Sequence, residues 1–163
     1  MKGIADSGTF GPKIADYRGP AVKSKWAFRT SREADGSVKF RSRIVGKGYS
    51  QIAGVDYYET FAPTIAVKSL LMLLHIAASE DMEIKNLDIS NAYLESPLDI
   101  DLYMELPRSE WVDNKRTVVK LLKSIYGLKQ SGELWNKRIS KILTSGKFKR
   151  THSDPCVYVK YGL

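Results

Sequence analysis

The pattern of apolar and polar residues predicts a two-stranded hairpin near the start of the chain. Residues 25–30 alternate polar and apolar positions with a period of two, as expected of a half-buried strand. Residues 33–37 contain Asp35 followed by Gly36, a pair that favours the positive φ angle of a tight turn. Residues 38–45 are then predicted to return as the second strand.

Helical spacing appears twice further along the chain. Residues 64–79 repeat apolar residues on one helical face, with Thr64 as the candidate N-cap. Residues 128–144 repeat the pattern, and Gly146 is the predicted stop. Four shorter segments are predicted to be strands, of which the middle two should form a hairpin: 82–89, 102–106, 117–122 and 156–161. Strands flanked by two long packing helices indicate an α+β fold with a mainly antiparallel sheet.

Length and composition fit one folded unit. The chain has 163 residues, of which 43% are hydrophobic, enough for the core of a single domain. Residues 1–23, with repeated Gly and Pro, are predicted to be an extended lead-in, and residues 24–163 the folded part. No apolar stretch reaches the ~18 residues of a membrane-spanning helix, and the start lacks the apolar region of a secretory signal. The single cysteine, Cys156, excludes an internal disulfide, fits a reducing compartment and is interpreted as a small buried hydrophobe.

Charge is distributed in blocks, within a net charge of +8. Residues 13–50 contain ten Lys and Arg against three acidic residues. Residues 80–113 contain ten acidic residues against two basic ones, and residues 115–150 contain eleven Lys and Arg against one Glu. Basic segments around an acidic one suit a polyanion held across a site that carries metal ions. A set of solvated surfaces explains the same pattern equally well.

Four short segments contain residue types that fit chemistry: the cation row of residues 39–43, Asp88, residues 91–93 (Asn-Ala-Tyr) and residues 126–130 (Tyr-Gly-Leu-Lys-Gln). Lys39, Arg41 and Arg43 share one face of the second predicted strand, which suits a phosphate clamp or a solvated face that discourages aggregation. Asp88 ends a predicted apolar strand, a place that suits a Mg²⁺ ligand, although Asp in this context is also a common helix N-cap. Residues 129–130 (Lys-Gln) open a predicted helix, where anions bind. Each of these signals is weak alone.

A series of segments stands in a specific order along the chain. They are 25–28 (Lys-Trp-Ala-Phe), 41–51 (Arg-Ser-Arg-Ile-Val-Gly-Lys-Gly-Tyr-Ser-Gln), 54–57 (Gly-Val-Asp-Tyr), 59–63 (Glu-Thr-Phe-Ala-Pro), 87–94 (Leu-Asp-Ile-Ser-Asn-Ala-Tyr-Leu), 103–105 (Tyr-Met-Glu), 124–130 (Ser-Ile-Tyr-Gly-Leu-Lys-Gln) and 153–155 (Ser-Asp-Pro). In this order the chain resembles the reverse transcriptase domain of copia-type retrotransposon polyproteins, over roughly residues 8–161. The resemblance implies the fingers and the first part of the palm of an RNA-directed DNA polymerase.

The resemblance implies roles for the segment around Asp88. Asp88 is similar to the first catalytic carboxylate, a ligand of two Mg²⁺ ions, with Mn²⁺ as an alternative ion. Ile89 would offer its backbone carbonyl to the ion that accompanies the nucleotide. Asn91 and Ala92 would hold the triphosphate or the 3′-OH, mainly through backbone N–H groups. Tyr93 is similar to the steric gate, whose ring occupies the position of a ribose 2′-OH and so favours dNTPs over rNTPs.

Further roles are implied for the hairpin and for the second helix. Arg41 and Arg43 are similar to residues that clamp the triphosphate, with the choice between the two left open. Gln130, with Lys129 beside it, is similar to the motif that packs on the incoming nucleotide and the template base. Residues 131–132 (Ser-Gly) stand where the family usually has Ala-Pro, beside the nucleotide-binding helix. The implied partners are a dNTP and an RNA or DNA template–primer, with no membrane.

One difference from the family bears on activity. The copia-type pattern continues with a hairpin carrying Tyr-Val-Asp-Asp, which supplies the remaining metal-binding carboxylates, and this chain ends before it. Asp99, Asp101 and Asp154 are not expected to reach Asp88. The C-terminal palm, thumb and ribonuclease H regions of the polyprotein are implied as partners, in a cytoplasmic virus-like particle of the parent element.

Three interpretations therefore remain open. The first is a reverse transcriptase fragment that adds dNTPs by two-metal chemistry in its complete enzyme and is inactive as an isolated chain. The second is a non-catalytic nucleic-acid-binding remnant of a decayed element. The third is an unrelated basic α/β protein, which the ordered segments disfavour.

Overall fold

The computed structural model describes residues 8–161, which form seven strands and two α-helices. In chain order these are β1 (Phe10–Ala15), β2 (Ser24–Arg32), β3 (Val38–Gly46), α1 (Val67–Ser79), β4 (Pro97–Glu105), β5 (Thr117–Lys123), α2 (Ser131–Ser145), β6 (Lys149–Arg150) and β7 (Tyr158–Val159). Short 3-10 helices lie at Gly48–Ser50, Ala92–Glu95 and Arg108–Glu110. Two helices with antiparallel sheet confirm the predicted α+β class.

A three-stranded antiparallel sheet, in the order β1-β5-β4, forms one side of the core. The central strand β5 contains Val118, Val119 and Leu121, each at most 2% exposed. On β4, Leu102 and Met104 are buried and alternate with more exposed residues, as expected of a strand with one face in the core. The hairpin predicted from residues 102–106 and 117–122 is therefore confirmed, and β4 begins earlier than predicted.

The N-terminal segment was predicted to be a lead-in without an element, and this prediction is wrong for part of it. Residues 1–7 lie outside the described residues, but Phe10–Ala15 forms β1 and pairs with β5. The register shifts just after Phe10, where the sequence has Gly and Pro. An edge strand interrupted in this way lacks the alternation that would reveal it in the sequence.

The predicted hairpin is present as β2 and β3, with Ser24 opposite Gly46 and Arg32 opposite Val38. Gly36 has a φ angle of +83°, and the backbone N–H of Ser37 donates to Asp35 Oδ1 at 2.9 Å. The Asp-Gly turn thus forms as the sequence indicated. The two faces of this ribbon differ, because side chains alternate along each strand. One face carries Trp26, Phe28 and Phe40, and the other carries Lys25, Arg29, Arg41 and Arg43.

The first predicted helix is present as α1, but it begins at Val67 instead of Thr64. Ala66 is extended, with a ψ angle of 137°, and its N–H donates to Asp154 Oδ2 at 2.9 Å. A carboxylate distant in sequence therefore occupies the place expected for a local cap. The helix contains no buried residue, so its apolar side chains lie at the surface of the described part of the chain.

The second predicted helix is present as α2, and it begins at Ser131 instead of Leu128. Gly127, with a φ angle of +92°, lies in the turn between β5 and this helix. Gly146 terminates α2 as predicted, and its N–H donates to the carbonyl of Ile142 at 3.1 Å. Leu134 lies in the core side of this helix and is 8% exposed.

Residues 82–89 were predicted to be a strand, and this prediction is wrong. No residue of the segment is assigned to a strand, and all of its residues are exposed. A strand needs a neighbour to accept and donate its backbone hydrogen bonds, and none within residues 8–161 pairs with this segment. Apolar and polar residues do alternate in this segment, but it has no neighbouring strand among the described residues with which to pair.

The C-terminal strand is shorter than predicted. Of residues 156–161, only Tyr158–Val159 forms a strand, β7, which pairs with β6. Cys156 is half-buried, and burial raises the pKa of its thiol, with the nearby Asp154 charge acting in the same direction. Among the described residues, neither helix has the length and apolar character needed to cross a bilayer.

Candidate functional site

Two aromatic rings and one guanidinium meet where β3 approaches the turn that follows β5. The guanidinium carbon of Arg43 lies 5.3 Å from the centre of the Tyr126 ring. The ring of Tyr93 meets the same ring edge-on, with centroids 4.8 Å apart and planes inclined by 64°. Both geometries lie in the attractive range for cation–π and aromatic pairs. The structure thus joins Arg43 and Tyr93, two predicted site residues, through Tyr126.

Asn91 lies beside this cluster and lines one small cleft together with Arg43 and Tyr126. Its backbone is left-handed, with a φ angle of +55°, a conformation that Asn tolerates better than most residues. The Asn91 carbonyl accepts the N–H of Leu94 at 2.8 Å, and Leu94 is buried. Ala92 starts the 3-10 helix between them. This sharp turn, anchored in the core, carries Tyr93 toward Tyr126.

Backbone hydrogen bonds join the base of the hairpin to the turn that carries Tyr126. The N–H of Gly46 donates to the Tyr126 carbonyl, and the N–H of Gly48 donates to the Gly127 carbonyl, each at 2.9 Å. A Cβ atom at Gly127 would overlap the Gly46 carbonyl, and one at Gly48 would overlap the Gly127 carbonyl. Glycine permits this approach, which places the strand of Arg43 directly beside Tyr126.

Two glutamine amides hold the same turn from the other side. Gln51 Oε1 accepts the N–H of Lys129 at 2.8 Å, and Gln51 Nε2 donates to Gln130 Oε1 at 2.9 Å. Gln130 Nε2 donates to the Asp56 carbonyl at 3.0 Å, and Gln130 is only 3% exposed. Both polar atoms of Gln130 are therefore bonded within the protein, while Lys129 is exposed. The contact of Gln130 with a nucleotide and a template base stays a prediction.

Arg41 shares a face of β3 with Arg43 but lies nearer the tip of the hairpin. It stands opposite Arg29, whereas Arg43 stands opposite Ala27. Arg41 is exposed and Arg43 is half-buried. Neighbouring side chains on one face of a strand are roughly 7 Å apart, so the two arginines occupy distinct positions. Of the two, Arg43 is the one in contact with Tyr126.

A comparison with protein families places the chain. A family model described as Reverse transcriptase (RNA-dependent DNA polymerase) matches residues 16–163, nearly the whole sequence.

The chain belongs to the reverse transcriptase family.

Curated relatives of this reverse transcriptase domain are Pol polyproteins of plant transposons. The chain is 38% identical over 141 residues to the retrovirus-related Pol polyprotein from transposon TNT 1-94 of Nicotiana tabacum. It is 36% identical, also over 141 residues, to those from transposons RE1 and RE2 of Arabidopsis thaliana. Each alignment covers 85% of this chain and 10 to 11% of the relative, so the chain spans about a tenth of their length. No solved structure matches. The predicted copia-type reverse transcriptase domain is thereby confirmed.

In this reverse transcriptase domain, Asp88 lies on the exposed segment that follows α1. Its neighbours Leu87 and Ile89 are 87% and 45% exposed. Within residues 8–161, no three His, Cys, Asp or Glu side chains stand close enough together to hold a metal ion. Carboxylate and carbonyl oxygens are the ligands that Mg²⁺ prefers, but Asp88 and Ile89 alone do not make a complete site. The described residues therefore do not fit a divalent ion by themselves, and the metal role of these two residues stays a prediction.

Two carboxylates of the reverse transcriptase domain have partners elsewhere. Asp101 pairs with Lys120 at 2.7 Å, and this hydrogen bond and its charge raise the pKa of Lys120. Asp154 accepts the N–H groups of Ala66 and Cys156, each at 2.9 Å. Both carboxylates therefore have other partners among the described residues, and the expectation that neither complements Asp88 stays a prediction.

The sequence assigned no individual role to two residues of this site, Tyr126 and Gln51. Both lie inside segments that carry the family resemblance, and neither bears a charge that would attract attention. The partners of Gln51 are 78 and 79 residues away along the chain, so no local pattern reveals them. For Gln51, the sequence offers one signal: an uncharged polar residue at the end of the basic segment 41–51.

Proposed function

We propose that this chain is the nucleotide-facing part of an RNA-directed DNA polymerase, which acts with the rest of a Pol polyprotein. Its substrates would be a dNTP and a primer paired to an RNA or DNA template. The observation that carries the proposal is the meeting of Arg43, Tyr126 and Tyr93 beside Asn91. A guanidinium suits a triphosphate, and an aromatic ring suits the position next to a sugar. Their proximity would let one deoxynucleoside triphosphate contact both the guanidinium and the Tyr93 ring.

Each predicted site residue then has a role in binding. Arg43 binds the triphosphate, and Arg41 extends the positive charge toward the tip of the hairpin. The backbone N–H groups after Asn91, beginning with Ala92, receive phosphate oxygen or the primer 3′-OH. The ring of Tyr93 occupies the space of a ribose 2′-OH, so the cleft favours dNTPs over rNTPs. Lys129 and Gln130 belong to the turn that faces the incoming nucleotide and the template base.

The chemical step of DNA synthesis is an in-line displacement, in which the primer 3′-oxygen attacks the α-phosphorus and pyrophosphate leaves. Divalent ions, Mg²⁺ in this proposal, supply charge stabilisation for that step when bound. Asp88 and Ile89 offer only part of the ligand set, so we assign the other carboxylates to further parts of the polyprotein. The chain itself orients the nucleotide and disfavours ribose.

The proposal is tested first by binding. The chain is mixed with a primer–template duplex and titrated with dATP, with ATP and with deoxyadenosine. We expect dATP to bind more tightly than deoxyadenosine, because Arg43 and the backbone N–H groups contact phosphate, and more tightly than ATP, because Tyr93 excludes the 2′-OH. Equal affinity for the three ligands would contradict the proposal.

The second arm of the same test is primer extension with Mg²⁺ or Mn²⁺. We expect no template-directed dNTP incorporation above background from the isolated chain, because the described residues hold no complete metal site. Template-dependent product from this chain would show that its own residues suffice, contrary to the proposal.

A non-catalytic nucleic-acid-binding module is the second candidate function. The exposed cations of the hairpin favour it. The two candidates differ once the chain is joined to the remainder of its polyprotein. The polymerase proposal expects DNA synthesis there that Asp88→Asn abolishes, whereas a binding module expects none in either form.

A further inference from the structure

One aromatic ring contacts both residues that the proposed function assigns to opposite ends of the nucleotide. Tyr126 lies beneath the Arg43 guanidinium at 5.3 Å and against the Tyr93 ring at 4.8 Å. Arg43 is assigned to the triphosphate and Tyr93 to the sugar. A single side chain therefore sets the relation between two recognition elements that come from different parts of the sequence.

The contact with Tyr126 restrains the Arg43 side chain without neutralising its charge. Among the described residues, no acidic side chain forms an ion pair with Arg43. A carboxylate would neutralise the guanidinium and occupy its N–H donors. A ring face attracts the cation through its π electrons and leaves those donors free for phosphate oxygens. Arg43 is thus held in place while still able to bind an anion.

The backbone fixes the position of the Tyr126 ring. The Tyr126 carbonyl accepts the N–H of Gly46, on the same strand as Arg43. The carbonyl of the next residue, Gly127, accepts the N–H of Gly48, and a Cβ atom on Gly127 would overlap the Gly46 carbonyl. Because these contacts tie the turn to the end of β3, the ring and the arginine share one rigid frame.

The edge-on contact gives Tyr126 control over the orientation of Tyr93. A ring that screens a sugar position must keep one orientation, since a rotated ring would open the space it should fill. Edge-to-face pairs have a preferred geometry, which the 64° inclination satisfies. Tyr93 is half-buried, so part of this residue stays accessible to solvent beside its contact with Tyr126.

We infer that Tyr126 is a positioning residue, which couples triphosphate binding by Arg43 to the exclusion of ribose by Tyr93. This inference rests on the proposed function and deepens it. Removing the ring should weaken both properties together, although Tyr126 itself touches neither phosphate nor sugar. Keeping the ring while removing the hydroxyl should preserve both.

The test uses the whole chain with a primer–template duplex, and it measures dissociation constants for dATP, ATP and deoxyadenosine. Tyr126→Leu is expected to raise the dissociation constant for dATP roughly tenfold, the size of a lost cation–π contact in a partly desolvated site. The preference for dATP over ATP should fall toward one, and binding of deoxyadenosine should change little. Tyr126→Phe should match the original chain, because the ring is retained.

Two controls separate positioning from general stability. Tyr158→Leu removes another ring beneath an arginine, since Arg150 lies 5.5 Å from the Tyr158 ring, and it should leave all three constants unchanged. In the Arg43→Ala background, Tyr126→Leu should cause no further loss of the preference for dATP over deoxyadenosine. If Tyr126→Leu does not fold, as judged by circular dichroism, Tyr126→Met fills the space with a flexible apolar side chain and replaces it.

The outcomes distinguish the inference from the proposed function. If the original chain binds dATP, ATP and deoxyadenosine alike, the proposed function fails, and the inference fails with it. If the original chain prefers dATP over ATP and deoxyadenosine, and Tyr126→Leu keeps the same preferences, the inference alone fails. A uniform loss for all three ligands, or an equal loss in Tyr126→Phe, would also overturn the positioning role.

Discussion

Asp154 connects two distant segments through its carboxylate. Its oxygens accept the N–H of Ala66, just before α1, and the N–H of Cys156, each at 2.9 Å. These donors, with Ala66 contributing most and the Ser69 side chain adding to them, hold the pKa of Asp154 below its ordinary value. In the sequence, Asp154 stands in a turn before a proline. In the structure, it caps a helix that lies 88 residues earlier.

Asp154→Asn should therefore lower the free energy of unfolding at neutral pH, because the amide accepts these bonds less strongly than a carboxylate. The depressed folded-state pKa means that the extra stability is complete above the unfolded value, near 3.8, and is lost as pH falls through the lower folded value. Urea unfolding of both chains from pH 7 down to acidic pH measures the difference. Asp113→Asn, at an exposed position, is the matched control. A difference that stays constant into acid would contradict the role of the charge.

At the scale of elements, α1 differs from α2 in what it packs against. Leu70, Leu71, Met72 and Leu74 on α1 are between 43% and 60% exposed, and the helix buries no residue. The following segment, with Leu87 at 87% exposed, is likewise uncovered. Contiguous apolar surface of this kind is uncommon on soluble monomers and favours association.

Leu71→Gln combined with Leu74→Gln should leave folding nearly unchanged, because exposed substitutions usually alter stability by less than about 0.5 kcal/mol. The same variant should reduce self-association, measured by sedimentation velocity over a range of concentrations. Leu121→Ala provides the contrast, since a side chain that is 1% exposed should cost about 2–5 kcal/mol when truncated. A loss above 2 kcal/mol in the α1 variant would mean that this face is packed in solution.

At the scale of the molecule, positive charge extends from the hairpin tip toward the cleft. Arg29 and Arg41 stand opposite each other on the exposed face of the ribbon, and Arg43 continues the row toward Tyr126. Lys39, at the tip, pairs with Glu33 at 3.4 Å and is partly neutralised. A polyanion that follows this face would reach the cleft where the nucleotide is proposed to bind.

Binding of a primer–template duplex should therefore weaken as salt rises, with log K falling linearly against log salt concentration. Arg29→Ala and Arg41→Ala should each reduce the magnitude of that slope by roughly one, because each removes about one phosphate contact. Ser42→Ala, on the opposite face of β3, is the control and should leave the slope unchanged. Fluorescence anisotropy at several salt concentrations measures the slopes, and affinity independent of salt would refute the electrostatic account.

The elements that sequence patterns predicted well are those formed by residues close together in the chain. The Asp35-Gly36 turn, the two strands beside it and the stop of α2 at Gly146 all depend on local alternation, spacing and backbone preference. The predictions failed where a distant partner was decisive. The helix α1 begins after Ala66, whose N–H is held by the distant Asp154. Phe10–Ala15 forms a strand because it pairs with β5, and residues 82–89 form none because no described strand pairs with them.

The sequence by itself determined the family, the α+β class and the identity of Arg43, Asn91 and Tyr93 as site residues to be tested. Only the tertiary structure brought Arg43 and Tyr93 into contact with Tyr126, and Asn91 into the cleft that Arg43 and Tyr126 line. The physical reason is the approach of two backbones at Gly46 and Gly127, where a Cβ atom on Gly127 would overlap the Gly46 carbonyl. Neither glycine forms a local pattern that indicates the other, because their meeting is a property of the folded chain.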